Sequence, residues 1–148
     1  MTVTSPQRIL GIDYGSHRIG LSLSDPLCLI AQPITALVNN KLTIENLKTL
    51  ILQEHITLVV VGMPLNLKGK QAQKAEEVQS FISELQENIG IEVITWDERF
   101  TTTIAQKTLL AMGTKKKERQ KKDGRIDSMA AAIILQGYLD CTKHSRSC

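Results

Sequence analysis

Three carboxylates in this sequence of 148 residues lie where an ionised acid is costly to bury. Asp13 falls within ILGIDYG, which has the composition of a buried strand. Glu98 ends the strand-like run IEVITWDE, and Asp127 begins an apolar, helix-like segment. Taking a charged carboxylate out of water without a partner costs several kcal/mol even after the surroundings relax. Each acid therefore needs a bound cation, a proton or a set of hydrogen bonds.

Convergence of these three acids in space would create a site for a hard divalent cation. Mg²⁺ prefers oxygen ligands, keeps some of its waters and is commonly held by a few carboxylates together with substrate phosphate. Two such ions about 4 Å apart can activate a water and stabilise the departing oxygen when a phosphodiester is cleaved. Taken singly, Asp13 could instead be satisfied by backbone amides, and Asp127 could stabilise a helix dipole.

The elements that must position these acids are predicted from hydrophobic periodicity. A hairpin followed by alternating strands and helices is typical of an α/β protein, here with a mixed five-stranded sheet and helices on both faces. Ligand sites in such sheets lie beyond the carboxyl ends of the parallel strands, which is where Asp13 and Glu98 fall. The predicted strands are 9–15, 18–25, 33–38, 57–64 and 91–98, and the predicted helices are 43–55, 71–90, 101–113 and 126–141.

Periodicity also predicts which way the acids point. Strand alternation places Asp13 on the same face as Gly11, and it places Asp97 on the face opposite Glu98. Helical spacing puts Asp127 on an apolar stripe whose alanines allow a close approach to a sheet. Trp96 is expected in the core. The rest of the stripe is Ala130, Ala131, Ile134 and Tyr138, of which Tyr138 is also a predicted core residue.

Positive charge is concentrated in TKKKERQKKDGR, residues 114–125. The formal net charge of the chain is +3, whereas this segment alone carries +5 and leaves −2 for the remainder. Such a run could be a solvated loop, or it could bind phosphate by releasing condensed counterions. No aromatic residue is interleaved with it, so base stacking is not indicated. The candidate phosphate-binding residues are Lys115, Lys116, Lys117, Arg119, Lys121, Lys122 and Arg125.

Composition and length favour one domain over residues 1–148, with flexible tails at 1–6 and 142–148. The longest apolar runs, at 58–61 and 129–135, are too short to cross a bilayer. The first residues lack the pattern of a secretion signal, and three widely spaced cysteines without a CxxC pair are typical of a reducing cytoplasm.

Four segments together resemble the YqgF/RuvX family of bacterial RNase H-like nucleases, which are similar in fold to the Holliday-junction resolvases. The segments are GIDYGSHRIGLSLSD, VGMPLNLKG, WDERFTTTIA and IDSMAAAIILQGYL. The resemblance implies an RNase H-like fold, a cytoplasmic location and a nuclease that uses Mg²⁺ or Mn²⁺ to mature the 5′ end of pre-16S ribosomal RNA. It also implies that Asp13, Glu98 and Asp127 are the catalytic metal ligands. Arg99, which follows Glu98, would contact phosphate or brace the site, or else form a surface salt bridge.

Other functions remain open at this point. Cleavage of DNA junctions would require two sites and therefore a dimer, so the chain is expected to be a monomer or a weak homodimer. GIDYGS also resembles the first phosphate motif of actin-like and sugar-kinase proteins, but those need two lobes around the nucleotide. A non-catalytic factor that binds RNA through residues 114–125 is the third alternative. The expected partners are pre-16S ribosomal RNA or structured DNA, together with ribosomal assembly intermediates, and no membrane.

Overall fold

The structure, a computed structural model, describes residues 7–64, 69–97 and 125–144; for residues 70, 71, 125–127, 143 and 144 it describes the backbone alone. Within these ranges the chain forms five strands and three helices. They are β1 (Arg8–Asp13), β2 (Arg18–Ser24), β3 (Ala31–Val38), α1 (Thr43–Gln53), β4 (Ile56–Met63), α2 (Lys70–Asn88), β5 (Glu92–Asp97) and α3 (Arg125–His144).

All five strands belong to one sheet in the order β3-β2-β1-β4-β5. The pairs β1–β2 and β2–β3 are antiparallel, whereas β1–β4 and β4–β5 are parallel. A tight turn can join antiparallel strands, but parallel strands need a longer crossover, which α1 and α2 take part in providing. The predicted mixed five-stranded sheet is confirmed.

Helices cover both faces of the sheet, as predicted. Helices α1 and α2 pack on one face, and α3 packs on the other. Strand β4 is buried on both sides, because Val59 and Val61 join the core beneath α1 and α2 while Val60 joins the core beneath α3. Its unbroken run of β-branched residues is typical of a strand in this position.

Helix α3 departs from prediction at its carboxyl end. It continues to His144, so Thr142–His144 are helical where we expected a flexible tail from residue 142. The aromatic side chains expected in the core do pack there, since the rings of Trp96 and Tyr138 meet edge to face at 5.9 Å. No helix in the described part of the chain is long and apolar enough to cross a membrane. The helix predicted at 101–113 and both outermost tails, 1–6 and 145–148, lie outside the described residues.

Candidate active site

Asp13 ends β1, the central strand of the sheet, and its side chain is half-buried. Leu10 and Ile12 belong to the core beneath α1 and α2, whereas Gly11 lies against α3. Alternation along the strand therefore puts Asp13 on the face that α3 covers, together with Gly11, as predicted. The acid thus stands at the carboxyl end of a central strand, the usual place for a ligand site in an open α/β sheet.

The neighbouring parallel strands end at almost the same level. Ile12 of β1 pairs with Val61 of β4, which pairs in turn with Thr95 of β5. Asp13 is therefore in one row with the next residues of these strands, Gly62 and Trp96. Asp97 lies one position further along β5 and, by alternation, on the opposite face of the sheet from Trp96. The predicted placement of Asp97 opposite Glu98 involves a residue outside the described ranges.

Buried serines fasten α3 to the sheet. The Ser22 hydroxyl, fully buried on β2, donates a hydrogen bond of 2.8 Å to the Ala131 carbonyl. The Ser128 hydroxyl donates to the Ile34 carbonyl at 2.6 Å and accepts a longer bond of 3.4 Å from the Leu21 amide. These bonds satisfy buried polar groups while fixing the position of the helix along the sheet.

The same bonds give the direction of α3. Ser128 lies beside Leu21, which pairs with Ile12 near the carboxyl end of β1. One turn later, Ala131 lies beside Ser22, which pairs with Gly11 further back along the strand. Helix α3 therefore runs antiparallel to β1. Its first turn, which contains the backbone of Asp127, lies toward the end of the sheet where Asp13 is found.

Glycine lets α3 approach the sheet closely. A Cβ atom at Gly11 would lie 2.7 Å from Leu135 Cβ and 3.0 Å from the Ala131 carbonyl oxygen, well inside ordinary contact distance. A Cβ atom at Gly62 would overlap the side chain of Ile134. The predicted stripe residues Ala131 and Ile134 thus pack against glycines of the sheet, and a side chain at either glycine would not fit at this spacing.

The structure brings together only part of the predicted site. Asp13 and the amino-terminal turn of α3 share one end of the sheet. Arg125 is the first residue of that helix, and only its backbone is described. Within the described ranges, no three acidic, histidine or cysteine side chains form a group that could hold a metal. The remaining predicted ligands and phosphate contacts lie outside the described side chains: Glu98, Arg99, Lys115, Lys116, Lys117, Arg119, Lys121, Lys122, Arg125 and Asp127.

Three residues of interest at this end of the sheet were missed by sequence reasoning. Ser22 and Ser128 orient α3, and the signal for Ser22 was a polar residue inside an otherwise buried strand. Arg18 begins β2, and its neighbours show which face it occupies. Because Ile19 and Leu21 belong to the core beneath α1 and α2, Arg18 lies on the α3 face with Ser22.

Asp25, the last acid of the first motif, has a structural role. Its carboxylate accepts hydrogen bonds from the backbone amides of Ile30 at 2.8 Å, Leu29 at 2.7 Å and Leu27 at 3.1 Å. The hydrogen bond from the Ile30 amide lowers the pKa of Asp25 below its ordinary value of 3.8. Desolvation, the next largest effect, raises the pKa, and the smaller effects of the bonds from the amides of Leu29, Leu27 and Asp25 itself lower it again. The carboxylate organises the β2–β3 loop, away from Asp13.

Comparison with known proteins identifies relatives of this chain. Residues 7–141 match a family model described as "RuvX: Holliday junction resolvase". A protein of Sulfurihydrogenibium sp. (strain YO3AOP1), named "Putative pre-16S rRNA nuclease", is 43% identical over 135 residues, which is 90% of each chain. A protein of Chlorobaculum tepidum with the same name is 42% identical over 141 residues, covering 95% of this chain and 98% of its own.

A solved structure shows the same fold. The structure titled "T. thermophilus RuvC in complex with Holliday junction substrate" superposes with a TM-score of 0.63 over 94% of this chain and 96% of its own, at 11% sequence identity. At that identity the likeness concerns the fold alone. It confirms the RNase H-like architecture that the motifs predicted.

Proposed function

Because this chain belongs to the RuvX family, we propose that it is a metal-dependent nuclease that hydrolyses phosphodiester bonds in the 5′-end maturation of pre-16S ribosomal RNA. The observation that carries the proposal is the position of Asp13. A half-buried carboxylate ends the central strand on the face where α3 brings in its first turn, which contains Asp127.

The donor chemistry fits a hard divalent cation. Asp13 offers carboxylate oxygens at the end of a sheet, Glu98 follows β5 directly in the chain, and Asp127 follows two residues into α3. The cation would be Mg²⁺ or Mn²⁺, both of which prefer oxygen ligands and retain water. Asp13, Glu98 and Asp127 are the proposed ligands.

The proposed site residues have different roles in cleavage. A cation held by the three acids would supply positive charge that activates water and stabilises the departing oxygen. Asp13 is held in place by the central strand, and the serine bonds and glycine contacts of α3 hold the backbone of Asp127 at the same end of the sheet. Arg99 and the basic residues of 114–125 would bind the phosphate backbone, which positions a substrate without reading its sequence.

Two substrates are supported by different relatives. The curated relatives are named as nucleases of pre-16S ribosomal RNA, which favours RNA, ribosomal assembly intermediates and a cytoplasmic site of action. The family description favours a four-way DNA junction as the second candidate, which would require a homodimer. We propose RNA as the substrate because the relatives named for it are the more similar in sequence.

The test is cleavage of a labelled pre-16S leader RNA and of a four-way DNA junction with Mg²⁺, Mn²⁺ or EDTA. Asp13→Asn removes the charge with little change in shape. We expect it to lower cleavage by roughly 100-fold or more, because losing even an outer partner of a metal ligand costs about 10- to 100-fold. Asp140→Asn is the matched control, because Asp140 is an exposed acid near the opposite end of α3.

Cleavage of RNA by wild type and the control, dependent on metal and lost in Asp13→Asn, would support the proposal. Cleavage of the junction alone would support the second candidate. If neither substrate is cut while both are bound equally by wild type and Asp13→Asn, the catalytic proposal is wrong, and the chain is an RNA-binding assembly factor.

A further inference from the structure

We infer that Arg18 binds a phosphate of the nucleic-acid backbone next to the one that is cleaved, an inference that rests on the proposed function. Arg18 is the first residue of β2, the strand beside Asp13 on the side of the sheet away from β5. Arg18 is distant in sequence from the basic segment 114–125, so it would add a phosphate contact to those proposed for that segment.

The geometry places Arg18 within reach of a substrate held at Asp13. Asp13 pairs with Gly20, so Arg18 is its diagonal neighbour across the hairpin. Diagonal neighbours on one face of an antiparallel pair lie about 7–8 Å apart, a distance that a long side chain spans. Alternation puts both side chains on the α3 face, because Ile19 between Gly20 and Arg18 points into the opposite core.

Arg18 also lacks the partner that a half-buried cation normally has. Within residues 7–64, 69–97 and 125–144, its guanidinium forms no hydrogen bond or ion pair, whereas Arg8 at the opposite end of the sheet is held by Glu54 at 2.8 Å. The cross-strand neighbour of Arg18 is Val38, an aliphatic residue that is 61% exposed and offers no charge. The donors of Arg18 are therefore available to a ligand.

Phosphate is the ligand that this arrangement favours. Guanidinium presents planar paired donors that match phosphate oxygens, and such charge-assisted bonds are stronger than neutral ones. A backbone phosphate entering beside the metal ligands would meet the guanidinium on the β2 side.

The experiment measures equilibrium binding of a short labelled single-stranded RNA in EDTA, so that cleavage does not interfere, over a series of KCl concentrations. Arg18→Gln should weaken binding about tenfold or more, as expected for loss of a hydrogen bond to a charged group. It should also reduce the slope of log affinity against log salt by about 0.7, the value for one phosphate contact on a single strand. Arg18→Lys should keep the slope and lose less affinity.

Arg8→Gln is the matched control, because it removes the same charge from the other end of the same sheet. It should leave both the affinity and the salt slope within error of wild type, and thermal unfolding of all variants reports whether they remain folded. The salt slope separates a phosphate contact from a packing role, since loss of packing alone does not release fewer counterions.

Unchanged binding and slope in Arg18→Gln, while wild type binds, would overturn the assignment of Arg18 and leave the nuclease proposal standing. Binding in EDTA, with no cleavage of either substrate once Mg²⁺ or Mn²⁺ is supplied, would overturn the nuclease proposal, and the slope would still decide the role of Arg18. Failure of wild type to bind RNA at any salt concentration would overturn the inference about Arg18 as well.

Discussion

Gly11→Ala should push α3 away from the sheet at the point where the two approach most closely. The new methyl group would lie 2.7 Å from Leu135 Cβ and 3.0 Å from the Ala131 carbonyl oxygen, and it would overlap the Ser22 hydroxyl. Because Ala131 is a backbone contact, the whole helix must retreat by several tenths of an ångström or bend. The Ser22–Ala131 hydrogen bond would be lengthened or lost.

The expected loss of stability follows from two destabilising contributions and one stabilising contribution. Overpacking a close-packed core costs about 1–3 kcal/mol, and loss of one buried hydrogen bond adds about 1 kcal/mol. Replacing glycine restricts the unfolded chain and returns about 0.4–1 kcal/mol. We therefore expect Gly11→Ala to lower the free energy of unfolding by about 1–3 kcal/mol. For a domain of this size, each kcal/mol lowers the Tm by about 2–4 °C.

The effect on cleavage should exceed the effect on folding. Helix α3 carries Asp127, the proposed metal ligand, and a displacement of about 1 Å at a catalytic group can lower the rate about 100-fold. Rates should be measured well below the Tm of the variant, so that the folded fraction is the same as in wild type. Gly90→Ala is the control, because nothing lies within 4 Å of the position where its Cβ would be. It should change the unfolding free energy by less than about 1 kcal/mol and leave cleavage unchanged.

One result would refute this reasoning. If Gly11→Ala has the same free energy of unfolding and the same cleavage rate as Gly90→Ala, then the contact between α3 and β1 adjusts to a methyl group without cost. In that case the contact at Gly11 does not fix the position of Asp127. Loss of stability with full activity in the folded protein would mean that packing at Gly11 matters for the fold but not for the site.

Two further predictions concern the ends of β2. Asp25→Ala should lower the free energy of unfolding at pH 7 by about 1–2 kcal/mol, because the three backbone amides lose a charged acceptor. The pKa of Asp25 is lowered in the folded state, so its contribution to the free energy of unfolding is complete above the ordinary value of 3.8 and is lost as pH falls through the folded value. The free energies of unfolding of wild type and variant, measured with denaturant, should therefore converge in acid. Gly15→Ala should lower the Tm and weaken RNA binding together, because its Cβ would overlap the Arg18 carbonyl oxygen and displace that residue.

The sheet and its two covering layers could be predicted because each strand has a clear apolar pattern. The run of valines in β4 indicated burial on both faces, and alternation in β1 placed Asp13 on the correct side. Helix α3 was predicted from its apolar stripe, but its end was placed too early. Its last residues, Thr142–His144, include no aliphatic residue to mark them as helical, whereas backbone hydrogen bonds can continue a helix without one.

The attachment of α3 could not be predicted from periodicity. Ser22 and Ser128 lie 106 positions apart in the sequence, and a buried serine has many candidate acceptors until the fold brings one carbonyl to it. Arg18 was missed for a related reason. A charged residue beside a turn is usually exposed, and only the register of β1 with β2 shows that it shares a face with Asp13.

The small residues beneath α3 explain how an acid is tolerated at the end of a buried strand. Gly11, Ser22 and Ala131 contribute little apolar area to the core, and buried serines must be paired with carbonyls to avoid a penalty. These small residues give up hydrophobic burial, yet they hold the helix close to the sheet with its first turn toward the end where Asp13 lies. Larger side chains at these positions would bury more surface and move the helix outward. A face built in this way gives up hydrophobic burial and sets the position of α3, the helix that carries the proposed metal ligand Asp127.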